Sequence, residues 1–125
     1  MVLIDSSVWI AVSRKEGDLS LMNEVAALLQ SGRVAMTWPV WLELYQGAKG
    51  RRDEENLRGW REVSHWLAFD DTCWMEAATI SRACLREGVN VPFGDILVQA
   101  CAKRHGVELL ERDRHFSMIQ KTIGR

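Results

Sequence analysis

The chain has 125 residues, 47 % of them hydrophobic, and its 16 basic and 17 acidic side chains leave a net charge of −1. That length and apolar content suit one compact domain over residues 1–125 with a core of its own, and exclude two comfortable ones. The balanced charge excludes a globally basic nucleic-acid binder, so any polyanion has to be met by a local patch.

Val2-Leu3-Ile4 is an aliphatic run without alternation, the pattern of a short strand buried on both faces of a parallel sheet, with Asp5 at its carboxyl end. This opening meets Asp5 too soon for the apolar stretch of a signal peptide, and no apolar run approaches the roughly 18 residues of a membrane span. Leu21, Met22, Val25, Ala26, Leu28 and Leu29 predict a helix over residues 19–32 that Gly32 stops, and Val34 to Thr37 reads as a second strand. Pro39 opens a helix that carries Glu43 and ends at Gly47 and Gly50, near Arg51 and Arg52. Residues 53–66 are polar but place Leu57, Trp60, Val63 and Leu67 at helical spacing, and Leu67-Ala68-Phe69 predicts a brief strand. A helix over 72–87 follows, with Met75, Ala78, Thr79, Ala83 and Cys84 in stripe and Gly88 as its stop. Pro92 and Gly94 introduce a helix that holds Asp95 in its first turn and runs to Gly106. Val107 to Leu110 predicts the last strand, followed by Glu111-Arg112-Asp113 and a short helix through Phe116 and Ile119.

Strands alternating with helices predict an α/β fold, a three-layer α/β/α domain with a short central parallel sheet, whose active sites collect outside the carboxyl ends of the strands. Asp5, Glu43, Asp95 and Asp113 stand at or near the edges of apolar segments that such a domain brings together. Unpaired buried carboxylates repel by roughly 4 kcal/mol per close pair at an effective dielectric of ~20, and a divalent cation relieves that repulsion. Oxygen-only ligands select Mg²⁺ or Mn²⁺, and such a site can activate water and neutralise a phosphorane-like transition state. Each acid also has a plain alternative: an N-cap for Asp5, an exposed helix carboxylate for Glu43, a dipole partner for Asp95, an ion pair with Arg112 or Arg114 for Asp113.

At these residues the chain resembles the PIN-domain ribonucleases, and specifically the VapC toxins of bacterial toxin and antitoxin pairs. The likeness runs through Val2-Leu3-Ile4-Asp5-Ser6-Ser7-Val8-Trp9-Ile10, Trp41-Leu42-Glu43-Leu44-Tyr45-Gln46-Gly47-Ala48, Pro92-Phe93-Gly94-Asp95-Ile96-Leu97-Val98-Gln99-Ala100 and Leu109-Leu110-Glu111-Arg112-Asp113-Arg114-His115-Phe116. The resemblance implies a PIN-like fold, catalytic and metal-ligating roles for Asp5, Glu43, Asp95 and Asp113, Mg²⁺ or Mn²⁺ as cofactor, an RNA substrate, a homodimer and a cognate VapB-type antitoxin. It departs at Glu111, where the family often carries a threonine or serine; Glu111 either adds an oxygen ligand or points away. Ser7 is read either as a partner of the site or as a helix cap.

The remaining chemistry-bearing residues carry plainer expectations. His65, His105 and His115 show no metal-ligand spacing, and His115, close enough in sequence to Asp113 to meet RNA, reads first as a surface residue. Cys73, Cys84 and Cys101, odd in number and without C-x-x-C spacing, read as reduced thiols in a cytoplasmic protein. Arg14, Lys15, Lys49, Arg51, Arg52, Arg112 and Arg114 fall in predicted loops beside three of the acids, where phosphate contacts would be useful. Of the six tryptophans, Trp9, Trp38 and Trp41 are placed either in the core or in a partner groove. Two rivals use the same acids differently: a phospho-acceptor signalling domain, and a PIN fold that binds RNA or protein without cutting.

Overall fold

A computed structural model describes residues 1–14 and 18–124; Lys15, one of the cations named above, lies outside them. Strand β1 (Val2–Ile4) is buried at every position, as its unbroken aliphatic run requires, and leads through α1 (Ser6–Ser13) and α2 (Leu19–Gln30) to β2 (Val34–Met36). Then come α3 (Trp38–Gly47), α4 (Gly50–Val63), β3 (His65–Trp66), α5 (Asp71–Arg86), α6 (Phe93–His105), β4 (Glu108–Leu110) and α7 (Arg114–Ile123). The four strands pair in parallel in the order β3-β2-β1-β4, with Val2 opposite Val34 on one side and Glu108 on the other. Helices cover this sheet to give the expected three-layer α/β/α fold. Among the described residues no helix is long and apolar enough to cross a membrane.

One core cluster joins the sheet to its helices through Leu3, Ile4, Val8, Met36, Val98 and Phe116, and a smaller one locks α5, α6 and α7 together through Ala77, Ile80, Cys84, Ala100 and Ile119. Gly106 ends α6 at φ 64°, a left-handed turn that a side chain would strain, so the chain re-enters the sheet at once as β4.

Three elements differ from expectation. The buried face of α5 is Cys73, Ala77, Ile80 and Cys84, whereas Met75, Ala78 and Thr79 face solvent; the expected stripe is displaced because the helix also carries apolar residues, Met75 among them, on its exposed face. The predicted helix over 53–66 begins at Gly50 and ends at Val63, with Oδ2 of Asp53 accepting the Lys49 amide at 2.8 Å from inside the first turn. The edge strand is His65–Trp66, not Leu67–Phe69: Leu67 still donates to the Met36 carbonyl at 2.8 Å, but its own carbonyl accepts the Thr37 hydroxyl, which takes the chain out of the ladder.

Candidate active site

Because β2 lies on one side of β1 and β4 on the other, the sheet has its topological switch point between the carboxyl ends of β1 and β4, the crevice where open α/β sheets bind ligands. Asp5 follows β1, and its amide donates to the Leu110 carbonyl of β4 at 2.9 Å, so the two strand ends are tied where the acids emerge. The N-cap expectation for Asp5 holds, and it leaves one carboxylate oxygen free of the cap. It caps α1, Oδ2 accepting the Ser7 amide at 3.1 Å and the Ser7 hydroxyl at 2.6 Å, while its other oxygen, Oδ1, is buried with no hydrogen-bond partner among the described residues.

Asp113 does the same for α7, Oδ1 accepting the His115 amide at 2.9 Å. Asp95 sits in the first turn of α6, only 7 % exposed, and its Oδ2 is also buried without a partner. Glu43 reaches in from the middle of α3, where Oε2 accepts the Ser6 hydroxyl at 2.9 Å and Oε1 lies against Gly94. Ser6, to which the sequence assigned no role, therefore orients an acid on another helix, and Ser7 belongs to the site as well as to the cap.

The four carboxylates act on one another through their charges. Burial pushes the Asp95 carboxyl up to about 6, helped by the negative charges of Asp113, Asp5 and Glu43 and partly opposed by His115. Burial also raises Glu43; the Ser6 hydroxyl pulls it back, and Asp5 and Asp113 push it up again. Glu111 joins them, raised by burial and by Asp5 and Asp113 while its acceptance of the Asp113 amide, Oε2 to N at 2.9 Å, lowers it. Glu111 therefore turns toward Asp5 and Asp113, where its carboxylate holds the Asp113 amide.

The donor set fits a hard cation. Asp5 Oδ1 and Asp95 Oδ2 are buried without hydrogen-bond partners among the described residues, an arrangement that costs several kcal/mol for an uncompensated charge, and with Glu43 and Asp113 they offer a set of carboxylate oxygens of the kind a hard cation takes.

His115 overturns its surface expectation: the side chain is 25 % exposed, and Nδ1 lies 2.6 Å from Oδ1 of Asp113 and 3.5 Å from Oδ2 of Asp95. The signal was present in its position, since a residue in the first turn of α7, two after the capping aspartate, lies over that cap. The other histidines are elsewhere, His65 Nε2 at 3.0 Å from the Gly32 carbonyl and His105 Nε2 at 2.7 Å from that of Ala68. Contrary to the spacing argument, His105 does group with Cys73 and Cys101, the ligand atoms lying within 4.8 Å of one another across α5 and α6. All three cysteines are free and buried, and burial pushes the Cys101 thiol up to about 11.

Arg112 and Arg114 flank the acids, lining a cleft of about 530 Å³ with Ser7, Ala11 and Asp113. Arg51 and Arg52 belong to the first turn of α4 rather than to a loop, with Lys49 as that helix's cap residue. The tryptophan trio divides: Trp9 is fully buried and stacks on Trp60 at 4.5 Å, whereas Trp38 is 53 % exposed and leans on Trp66 at 4.7 Å. Trp41 is half-buried beside Trp66, and the Arg61 guanidinium lies over both rings at 5.5 and 5.7 Å. Trp38 and Trp41 open onto an apolar cleft of about 770 Å³ with Leu42, Tyr45, Trp74 and Phe93. A phospho-acceptor scheme finds no support at the middle strands, because β2 runs into Thr37 and β3 into Leu67.

Four acids at a switch point, held from two strand ends and two helices, define an acid-centred α/β site. The PIN domain profile matches residues 2–121, and the chain belongs to the PIN-domain family. Within that family, Ribonuclease VapC11 of Mycobacterium tuberculosis is 34 % identical over 125 residues, 97 % of this chain and 92 % of that protein. Two solved structures share the fold: FitAcB from Neisseria gonorrhoeae, TM-score 0.75 at 20 % identity over 96 % of this chain and 94 % of that one, and VapBC2 from Rickettsia felis bound to a promoter DNA fragment, TM-score 0.73 at 14 % identity over 90 % and 88 %.

Proposed function

We propose that the protein is a divalent-cation-dependent endoribonuclease acting in the cytoplasm as the toxin of a type II toxin and antitoxin pair. The observation that carries this reading is the burial, without hydrogen-bond partners, of Asp5 Oδ1 and Asp95 Oδ2 in a cluster with Glu43 and Asp113. The 34 % identity to a VapC ribonuclease over nearly the whole chain supports the RNA substrate.

Asp5, Glu43, Asp95 and Asp113 would hold Mg²⁺ or Mn²⁺, which when bound supplies water activation and charge compensation for phosphodiester hydrolysis. The chain's own residues prepare that site before any ligand arrives. Ser7 fixes Oδ2 of Asp5 and leaves Oδ1 outside the cap, and Ser6 fixes one oxygen of Glu43. Glu111 holds the Asp113 amide, so the loop after β4 keeps its acid in place without the hydroxyl common in the family. Arg112 and Arg114 bring positive charge to the rim, where an RNA backbone would pass. A protein partner, the VapB-type antitoxin or a second copy in a homodimer, is supported by the exposed apolar face of Trp38, Leu42, Tyr45, Trp74 and Phe93.

The test is cleavage of total cellular RNA by purified, antitoxin-free protein in Mg²⁺, Mn²⁺ and EDTA, beside Asp5→Asn and Asp95→Asn. Discrete fragments that require metal and vanish in both variants are expected. No cleavage by folded, metal-loaded wild type would move the assignment to a non-cutting binding module.

A further inference from the structure

His115 stands among the acids in a way that hydrogen bonding does not explain. Its Nδ1 is buried and lies at ion-pair distance from two acids, 2.6 Å from Asp113 Oδ1 and 3.5 Å from Asp95 Oδ2, and among the described residues neither Nδ1 nor Asp95 Oδ2 has a hydrogen-bond partner. Asp113 Oδ1 is already engaged by the His115 amide at 2.9 Å. Three potential ligand atoms, one on each of Asp95, Asp113 and His115, thus lie within 4.8 Å of one another. The two approaches bracket the roughly 3 Å edge between neighbouring ligands of a six-coordinate cation with bonds near 2.1 Å.

We propose that Nδ1 of His115 is a direct ligand of the divalent cation together with Asp95 and Asp113, which makes the site a mixed nitrogen and oxygen centre that prefers Mn²⁺ to Mg²⁺. The inference rests on the carboxylate-metal reading above and adds to it the ligand that sets metal choice. Mg²⁺ is a hard ion that favours oxygen and keeps its waters, whereas an imidazole suits the first-row transition metals. The fold supplies the ring with little freedom: Asp113 fixes the start of α7 through the His115 amide, and the next residue, Phe116, is fully buried, so the histidine is anchored on both sides. His65 and His105 are held at backbone carbonyls of Gly32 and Ala68, which leaves His115 as the histidine that faces the acids.

The experiment uses the full chain with Mn²⁺ alone as the probe, read by electron paramagnetic resonance with electron spin-echo detection of ¹⁴N coupling, and repeated on protein carrying ¹⁵N-histidine. Wild type is expected to bind Mn²⁺ saturably, to show a directly bonded nitrogen, and to change its coupling pattern on ¹⁵N-histidine labelling. In His115→Ala that coupling disappears, with Mn²⁺ affinity falling on the order of 10-fold or more while the Mg²⁺ affinity obtained from competition changes by less than about 3-fold. Mn²⁺ bound by wild type without histidine nitrogen coupling overturns the ligand assignment and leaves the carboxylate site standing. Coupling that persists in folded His115→Ala also overturns it, and failure of folded wild type to bind Mn²⁺ at all overturns the carboxylate reading together with this inference.

Discussion

A Cβ on Gly94 would stand 2.6 Å from Oε1 of Glu43, so the absence of a side chain on α6 is what lets a carboxylate from α3 enter the site. The clash would be with the far end of a flexible side chain, not with backbone, and Gly94 lies in a helix where alanine is favoured by up to about 1 kcal/mol. Gly94→Ala is therefore expected to leave stability unchanged or slightly raised while it swings Glu43 off its place. Divalent-cation affinity and RNA cleavage are expected to fall at least roughly 10-fold, in line with lost support around a metal ligand. Thermal melting together with calorimetric Mg²⁺ titration checks both halves, and undiminished binding would show that Glu43 is dispensable.

The raised Asp95 carboxyl makes a prediction about the metal-free protein. A carboxyl whose value rises from 3.8 to about 6 holds its proton more tightly when folded, so ionising it destabilises the fold. Stability in EDTA is expected to decline by about 3 kcal/mol in all from this group as pH rises from about 3 to about 7, roughly 2 kcal/mol of it between pH 4 and pH 6, and to stay at the lower level above that. Glu43 and Glu111, raised in the same direction, steepen the fall; Asp70, lowered by its cap hydrogen bonds, acts oppositely but at more acid pH. In Asp95→Asn the decline should shrink, leaving the metal-free variant more stable than wild type at pH 7 although inactive. Urea unfolding midpoints across this range decide it, and a wild-type curve that climbs from pH 4 to 6 would contradict the buried-acid picture.

Glu111 separates two uses of a carboxylate. If its work is to accept the Asp113 amide, an amide oxygen does that equally well, so Glu111→Gln is expected to keep cleavage within about 3-fold of wild type. Glu111→Ala leaves that N–H unpaired at a cost of about 1–3 kcal/mol and loosens Asp113, so its activity should drop further. Equal loss in both variants would assign Glu111 a charged role at the metal.

What the sequence disclosed follows from where burial is two-sided. Val2–Ile4 and the helix beginning near Asp95 are buried along nearly their whole length, so their apolar runs end at the acids and mark the crevice directly. Glu43 was harder, because α3 is half exposed, with Leu42 and Tyr45 facing outward on either side of it. The edge strand His65–Trp66 has no apolar run of its own and exists only because Ala35 and Met36 of β2 offer it hydrogen bonds. The α5 stripe was misplaced because its exposed face carries Trp74, Met75 and Leu85, apolar residues that periodicity alone assigns inward. Gly94 and Ser6 act through a distant acid, Glu43, which no local pattern announces, whereas His115 could be placed from its position two residues after the capping Asp113.

The tryptophans give the last prediction, because the structure divides residues that the sequence left together. Trp9 is fully enclosed and stacked on Trp60, so Trp9→Ala removes a large apolar volume from the main core and is expected to cost about 3–5 kcal/mol, a sizeable part of the stability of a domain this small. Trp38 is half exposed and rests on Trp66 and Arg61, and its truncation is expected to cost less than about 1.5 kcal/mol. If its cleft receives a protein partner, Trp38→Ala should instead weaken that association, since exposed aromatics in such a cleft act as anchors. Denaturant unfolding of the two variants, followed by Trp38→Ala sedimentation with and without a VapB-type antitoxin, reads these effects separately. A Trp38→Ala variant as unstable as Trp9→Ala, with unaltered self-association and antitoxin binding, would place Trp38 with the core in function despite its exposure.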